Sequence, residues 1–200
     1  MTALSLFRAV LGADFERLAP VLQRHYDLSL GQTATLSGTM QTWARFAWMR
    51  LFIPFMPKNA QDVPVVVRNA GVCNARGDIC FEWRREFRYP SGTQRSDTLT
   101  QPAPAWAQKF GACVMDVFPQ PAPIGIVLAL EVSEDGQSLT QRAPGPQFLL
   151  VGQRLVWLPP FARLQVHALE RALDAQRIYT EVTIRHPLLG DLFGYRGELF

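Results

Sequence analysis

Lysine is scarce in this chain, which limits what its positive charge can do. Of 20 basic residues only Lys58 and Lys109 are lysines, so arginine carries nearly all of the positive charge. The net charge is +3 over 200 residues, and no basic run or basic stripe occurs. Tracking the phosphates of DNA or RNA needs such a stripe. The sequence therefore predicts a protein that does not bind nucleic acid.

Cysteine and histidine are also few. Cys73, Cys80 and Cys113 are odd in number and show no CxxC spacing, which argues against a zinc site or a disulfide framework. A bridge between Cys73 and Cys80 across a hairpin remains open, although a reducing cytoplasm is the default expectation. The three histidines are scattered, whereas a metal site needs several converging ligands. We expect a cytoplasmic protein without a metal.

The familiar cofactor and nucleophile motifs are missing. The chain has no GxGxxG after a predicted strand, no GxxxxGK[ST] loop, no HExxH and no GxSxG. These motifs serve dinucleotides, phosphates, catalytic zinc and a serine nucleophile, respectively. The sequence therefore predicts no cofactor.

No hydrophobic run is long enough to cross a membrane. The longest covers residues 46–57 and is interrupted by Arg50 and Pro54, whereas a helical span needs about 20 apolar residues. The N-terminus lacks the basic region of a signal peptide. We interpret residues 46–57 as a packed short helix or as a lid over a cavity. Peripheral contact with a membrane surface and a partner interface are the alternatives.

The N-terminal residues, about 3–27, have helical periodicity. Leu4, Phe7 and Leu11 recur at helical spacing before Gly12, which is a common helix stop. A second helical stripe follows, and Pro20 marks a boundary or a kink within it.

From residue 30 onward the hydrophobic period changes from helical to two, which indicates strands. The connections are short and rich in turn residues, so neighbouring strands should be antiparallel. The candidate strands are 32–44, 63–72, 79–89, 93–101, 111–118, 124–133, 137–142, 147–157, 163–172, 177–185 and 193–199. The segment 147–157 is interpreted as one buried strand that leaves through a Pro-Pro corner.

This pattern predicts a mainly β (α+β) fold in a single domain, residues 1–200. The N-terminal helices, about 3–27, should pack over one face or mouth of an antiparallel sheet, about 32–199. So many strands in an up-and-down run tend to curl or close, because closure removes exposed edges. We expect a strongly curved sheet or a calycin-like barrel, and a helix-grip fold is the alternative.

The strand CFEWRREFRY, residues 80–89, places a cation among aromatic side chains. With a period of two, Phe81, Trp83, Phe87 and Tyr89 share one face with Arg85. The opposite face alternates in charge, which is typical of a solvated face. Because its apolar neighbours need burial, we expect Arg85 to face inward, where a guanidinium could orient a carboxylate or carbonyl.

The C-terminal residues 179–200 offer candidate acid–base groups. His186, Asp191 and Tyr195 cluster around a predicted turn, and Glu181 lies on a polar strand face. A histidine near a carboxylate and a phenol has the ingredients of general acid–base catalysis. The sequence leaves open whether the face carrying Glu181 points inward or outward.

Four motifs in order carry a family resemblance: LGADFERLAP, WRREF, GQRLVWLP and PLLGDLFGYRGEL. The chain resembles the bacterial family called domain of unknown function 4166 over about Leu6 to Leu199. Relatives stand alone or follow a saccharopine-dehydrogenase-like Rossmann domain, so the resemblance implies a Rossmann-type reductase as partner. It implies no catalytic residues, because the family has no assigned activity.

These observations predict a small-molecule binding domain with an apolar cavity for a lipid-like or polyketide-like ligand. The candidate ligand-binding residues are Arg85, Trp83, Phe87, Trp48 and Phe52. One alternative is an enzyme of cyclase or isomerase type that uses the acid–base residues in the same cavity. Another is an interaction domain that docks on a dehydrogenase.

Overall fold

The computed structural model describes residues 4–48, 56–118, 124–151 and 154–200. The chain begins with two short helices, α1 (Leu6–Leu11) and α2 (Pro20–Tyr26), joined by a 3-10 segment, Gly12–Arg17. Pro20 occupies the first turn of α2, where its missing N–H costs no hydrogen bond. The predicted helices and their boundary at Pro20 are confirmed.

Twelve strands follow within the described residues, and apart from segment 147–157 their bounds agree closely with the period-two segments of the sequence. They are β1 Thr33–Ala44, β2 Ala60–Cys73, β3 Ile79–Tyr89, β4 Gly92–Pro102, β5 Cys113–Phe118, β6 Ile124–Val132, β7 Ser138–Arg142, β8 Gln147–Val151, β9 Arg154–Trp157, β10 Gln165–Ala172, β11 Ile178–His186 and β12 Gly190–Leu199. A further 3-10 segment, Ala105–Phe110, joins β4 to β5.

Ten of these strands close into an antiparallel barrel. Going round the wall, β1 to β7 are neighbours in chain order, β10, β11 and β12 follow, and β12 pairs with β1. The first and last strands, β1 and β12, pair with each other, and the β5–β6 pairing completes the ring. The predicted antiparallel barrel with N-terminal helices is confirmed, and the helix-grip alternative is not the fold.

The prediction of one strand over 147–157 is wrong. The segment forms two strands, β8 and β9, which pair with each other outside the ten-stranded wall. Since β7 reaches only the later part of β6, from Ala129 onward, the first residues of β6 are free to pair with β8. Gly125 makes room for this arrangement, because a Cβ there would lie 2.3 Å from the ring of Phe148.

The N-terminal helices fill one end of the barrel. Phe7, Phe15 and Tyr26 are fully buried in one core cluster with inward-facing residues of the barrel. The ring of Phe7 lies 4.4 Å from that of Tyr26 and 5.2 Å from that of Phe81. We call this the helical end. The pocket end is the opposite one, where β1, β3, β5 and β11 end.

The three cysteines are free, so no bridge joins Cys73 to Cys80. Within the described ranges no group of three or more His, Cys, Asp and Glu side chains is arranged to hold a metal ion. In the same ranges no helix is both long and apolar enough to cross a membrane.

Candidate functional site

A pocket lies inside the barrel toward the pocket end. Its walls are mainly apolar and come from eight of the ten barrel strands, β3 to β7 and β10 to β12, with Phe87, Ile126, Val182 and Phe193 among them. Its polar lining consists of Arg85, Ser96, Thr98, Asp116, Gln141 and Tyr195. The free space is about 100 Å³, which accommodates several waters or a slender organic group rather than a bulky ligand.

Arg85 points into this pocket from β3. Its guanidinium stacks 4.7 Å from the ring centre of Trp83, and Nη1 donates to Thr98 Oγ1 at 3.4 Å. Among the described residues the guanidinium makes no ion pair with a carboxylate within 4.0 Å. Arg85 is therefore a cation in a largely apolar pocket whose donors are incompletely used.

The charge of Arg85 acts on four acidic or phenolic groups that come from four different elements. They are Tyr26 of α2, Asp116 of β5, Glu170 of β10 and Tyr195 of β12. Burial is the largest single influence on the pKa of each and acts to raise it; the pKa values of Tyr26, Asp116 and Tyr195 are raised, whereas other contacts lower that of Glu170 overall. The positive charge of Arg85 acts on all four in the opposite direction, toward the anionic form. We call this set, with Arg85, the interior cluster.

Asp116 is the carboxylate of the interior cluster that lines the pocket. The hydroxyl of Thr100 donates to Asp116 Oδ1 at 2.5 Å and accepts from the indole N–H of Trp83 at 3.0 Å. Burial raises the pKa of Asp116, and the hydrogen bond from Thr100 and the charge of Arg85 offset only part of the increase. This carboxyl group is thus held in a fixed orientation and retains its proton to higher pH than an exposed aspartate.

Glu170 forms a buried pair with His25 deeper in the barrel. The Nε2 atom of His25 lies 3.2 Å from Glu170 Oε2, and Thr180 donates to Oε1 at 3.4 Å. Burial acts to raise the pKa of Glu170, but His25, a hydrogen bond from Tyr26 and Arg85 together outweigh it, so the pKa is lowered. This carboxylate is therefore held in its anionic form.

Gln141 connects this pair to the pocket. It lines the pocket, and its Nε2 donates to the hydroxyl of Tyr26 at 3.2 Å. Burial raises the pKa of Tyr26 well above its usual value, so the phenol stays protonated. A continuous set of polar contacts thus runs from the pocket through Gln141 and Tyr26 to Glu170 and His25.

The structure places the predicted ligand-binding residues in different surroundings. Arg85 and Phe87 line the pocket, while Trp83 is buried below Arg85. Trp48 lies at the pocket end, is 59% exposed and does not line the pocket. Phe52 lies outside the described residues, as does most of the predicted lid over 46–57. Whether these residues bind a ligand stays a prediction.

The four acid–base candidates near the C-terminus do not meet in one site. Tyr195 faces the pocket, and its ring packs 5.3 Å from that of Phe87. Glu181 points outward, because Val182 and Ile184 on the opposite face of β11 line the pocket, and it accepts from the hydroxyl of Tyr179 at 2.8 Å.

The other two candidates belong to the β11–β12 turn. His186 Nδ1 accepts from the backbone N–H of Leu188 at 3.2 Å, and Asp191 is exposed with its Oδ1 3.9 Å from Arg185. Both side chains therefore make their contacts within the β11–β12 turn and not inside the barrel.

The outer face of β3 is solvated, as the alternating charges predicted. Glu86 lies between Arg68 of β2 and Arg95 of β4, at 3.7 and 3.3 Å, and Arg84 pairs with Glu82. Such exposed pairs contribute little to stability. A substitution of Arg84 on this outward face is therefore a suitable control for a substitution of the inward Arg85.

Sequence reasoning missed Asp116, Gln141, Glu170 and the His25–Tyr26 dipeptide. The available signal was a lone carboxylate in an otherwise apolar strand face. Asp116 lies between Val114 and Phe118 in β5, and Glu170 between Ala168 and Ala172 in β10. A carboxylate at an inward position is rare unless it is paired or functional. The sequence shows which face of a strand points inward only where apolar and polar residues alternate clearly, so this signal could not be used for β5 and β10.

These features define a class of protein: a closed ten-stranded antiparallel β-barrel, filled by helices at one end and carrying a polar cluster inside. A family model described as domain of unknown function (DUF4166) matches residues 18–199, nearly the whole chain. The chain belongs to this family, which confirms the resemblance drawn from its motifs. A search of curated proteins and a search of solved structures each found no match.

Proposed function

We propose that this protein binds a small amphipathic molecule in the barrel pocket, with an acidic or carbonyl end against Arg85. One observation carries the proposal. The guanidinium of Arg85 points into a pocket with mainly apolar walls and forms no ion pair with any of the described residues. Withdrawing a charge from water is costly unless it is paired and hydrogen-bonded. A ligand carboxylate or carbonyl would supply an acceptor in addition to the hydroxyl of Thr98.

The rest of the lining favours a slender aliphatic or flat molecule. Side chains such as Ile126, Leu128, Val182 and Ile184 offer apolar contact along the pocket. Ser96, Thr98 and Tyr195 add neutral polar groups close to the guanidinium. With about 100 Å³ free, a bulkier ligand would have to displace side chains. We therefore take a medium-chain aliphatic acid as the first probe.

The test compares Arg85→Gln with Arg84→Gln, since these neighbouring arginines point to opposite faces of β3. Binding of octanoate, 1-octanol and octylamine is measured by calorimetry or by NMR titration. We expect octanoate to bind best and Arg85→Gln to weaken it by roughly tenfold to a hundredfold, as for a hydrogen bond to a charged group. Octanol should be affected much less, and Arg84→Gln should leave all three unchanged.

Two results would contradict the proposal. One is an equal effect of the two substitutions on octanoate binding, and the other is a preference for octylamine over octanoate. Native mass spectrometry of the protein purified from its own host complements the titration. A co-purifying acid that is lost from Arg85→Gln but retained by Arg84→Gln would identify the natural ligand class.

The position of Asp116 and Tyr195 favours proton transfer on the bound molecule as a second candidate function. Both line the same pocket, and burial raises the pKa of each. With Arg85 on the ligand carbonyl, Asp116 could accept a proton from the neighbouring carbon and return it at another position, as in an isomerase. Deuterium incorporation into the co-purified molecule in D₂O tests this. Incorporation should be lost in Asp116→Asn while binding persists, and its absence from the wild type contradicts catalysis.

A further inference from the structure

Large apolar side chains are exposed around the pocket end of the barrel. Trp48, Phe161, Leu188 and Leu189 are 59, 64, 76 and 43% exposed, and we call these four the rim. Leu188 and Leu189 form the tip of the β11–β12 turn, which Arg45 holds by donating from Nη1 to the carbonyl of Leu189 at 2.9 Å. Phe161 precedes β10, whose first residue, Gln165, pairs with Arg185 at the same end.

The charge of the molecule is also unevenly distributed between the two ends. The described parts of the pocket end are residues 45–48, 56–60, 88–93, 156–165 and 185–192. They contain one acidic residue, Asp191, and five basic residues: Arg45, Lys58, Arg88, Arg163 and Arg185. The N-terminal segment and the connections of the helical end, 4–32, 74–78, 103–112, 133–137 and 173–177, carry six basic and seven acidic residues. The net positive charge of the chain is thus concentrated around the pocket.

The helical end exposes apolar side chains too, Leu4 at 60% and Phe200 at 64%. Apolar exposure alone therefore does not distinguish the two ends. Of the two ends, as far as the structure describes them, the pocket end alone combines it with an excess of positive charge. Aromatic and leucine side chains enter the headgroup region of a bilayer, and arginine and lysine beside them are attracted to anionic lipids.

We propose that the pocket end docks on the surface of an anionic membrane. The rim enters the headgroup region, and the surrounding arginines lie against the lipid phosphates and carboxylates. Peripheral binding generally needs two weak signals together, and this surface supplies an apolar and an electrostatic one. The orientation turns the pocket toward the bilayer and keeps the near-neutral helical end in water. The inference stands apart from the proposed function, because it concerns only the outer surface.

The experiment is co-sedimentation of the full chain with vesicles of phosphatidylcholine alone and of phosphatidylcholine mixed with phosphatidylserine. The rim variant is Phe161→Ser/Leu188→Ser and the charge variant is Arg88→Gln/Arg185→Gln. A matched control at the helical end is Leu4→Ser/Phe200→Ser. All of these side chains are exposed, so the variants should fold, and an unchanged melting temperature checks that they do.

We expect the wild type to sediment with the mixed vesicles, and more weakly as salt is raised. The charge variant should bind roughly tenfold more weakly or worse, from the loss of two basic residues near the surface. The rim variant should lose binding as well, and the helical-end control should keep it. Octanoate affinity should be unchanged in both pocket-end variants, so a failure of docking is distinguishable from a failure of the proposed function.

Three outcomes would overturn the inference. The wild type could fail to sediment with mixed vesicles, or the helical-end control could lose as much binding as the rim variant. The third is a wild type that ignores vesicles but self-associates, or binds a purified reductase, in a manner that the rim variant abolishes. In that case the rim is a protein interface and not a membrane-docking surface.

Discussion

The buried pair of His25 and Glu170 provides the sharpest test of how the barrel interior is built. The substitution His25→Leu keeps most of the side-chain volume against Trp83 and Tyr26, whose rings lie 5.5 and 4.9 Å from that of His25. It removes the partner 3.2 Å from Glu170. Glu170 is then left as a buried carboxylate with only hydroxyl groups and the more distant Arg85 to compensate it.

Removing the partner of a buried carboxylate costs about 3–5 kcal/mol of the free energy of unfolding, because it leaves the buried charge uncompensated. For a chain of this length each kcal/mol lowers the melting temperature by about 2–4 °C, so His25→Leu should lower it by roughly 6–20 °C. Replacing both members by apolar residues is often neutral. The double variant His25→Leu/Glu170→Leu should therefore regain most of the loss.

Calorimetry or circular dichroism at neutral pH measures these shifts. Glu82→Gln on the solvated outer face is the control, and its melting temperature should equal that of the wild type.

The stability that Glu170 contributes should depend on pH. Because the pKa of Glu170 is lowered in the native state, that contribution is complete above its ordinary pKa of 4.5 and is lost as the pH falls through the lower native pKa. The difference between the wild type and Glu170→Gln should shrink over that acidic range. A double variant no more stable than His25→Leu would refute the reasoning, since the loss would then come from packing and not from an unpaired charge.

Two further predictions concern the pocket and the wall. Asp116→Asn should raise the melting temperature at neutral pH, since burial raises the pKa of Asp116 and its ionisation opposes folding as the pH rises above 3.8; a gain of the same size well below 3.8 would contradict this origin. Gly197→Ala should destabilise the barrel by about 1–3 kcal/mol or more, because a Cβ there would lie 2.1 Å from the carbonyl oxygen of Thr39 and 2.8 Å from Met40 Cα. Urea unfolding measures this loss, and Arg196→Ala on the same strand is the control. If Gly197→Ala is as stable as Arg196→Ala, β1 and β12 are not so closely paired.

The inward position of Arg85 could be predicted because its strand alternates strongly. Phe81, Trp83 and Phe87 require burial, and a period of two then carries Arg85 to the same side. Every second residue from position 82 to 88 on the other face is charged, Arg84 and Arg88 among them, so only one assignment of faces is consistent. Local sequence is sufficient wherever one face is apolar and the other is charged.

Asp116 could not be assigned in the same way, because both faces of its strand are largely apolar. Val114 and Phe118 share its face, while Met115 and Val117 on the other side line a groove on the outer wall beside Trp106. Alternation therefore carries no information about which side holds the pocket. The same limit explains segment 147–157, whose apolar residues read as one buried strand but form a hairpin against the edge of β6.

The sequence by itself determined the helical N-terminus, the limits of most strands, their antiparallel pairing and the direction of Arg85. These follow from side-chain periodicity and turn residues, which act between neighbours along the chain. Only the tertiary structure decided that β12 pairs with β1 and β10 with β7 in a closed barrel, and that the charge of Arg85 acts on Tyr26, Asp116, Glu170 and Tyr195. Residues far apart in the chain come together because a closed wall directs the inward side chains of every strand toward one axis. Local sequence patterns cannot predict which distant strands become neighbours in that wall.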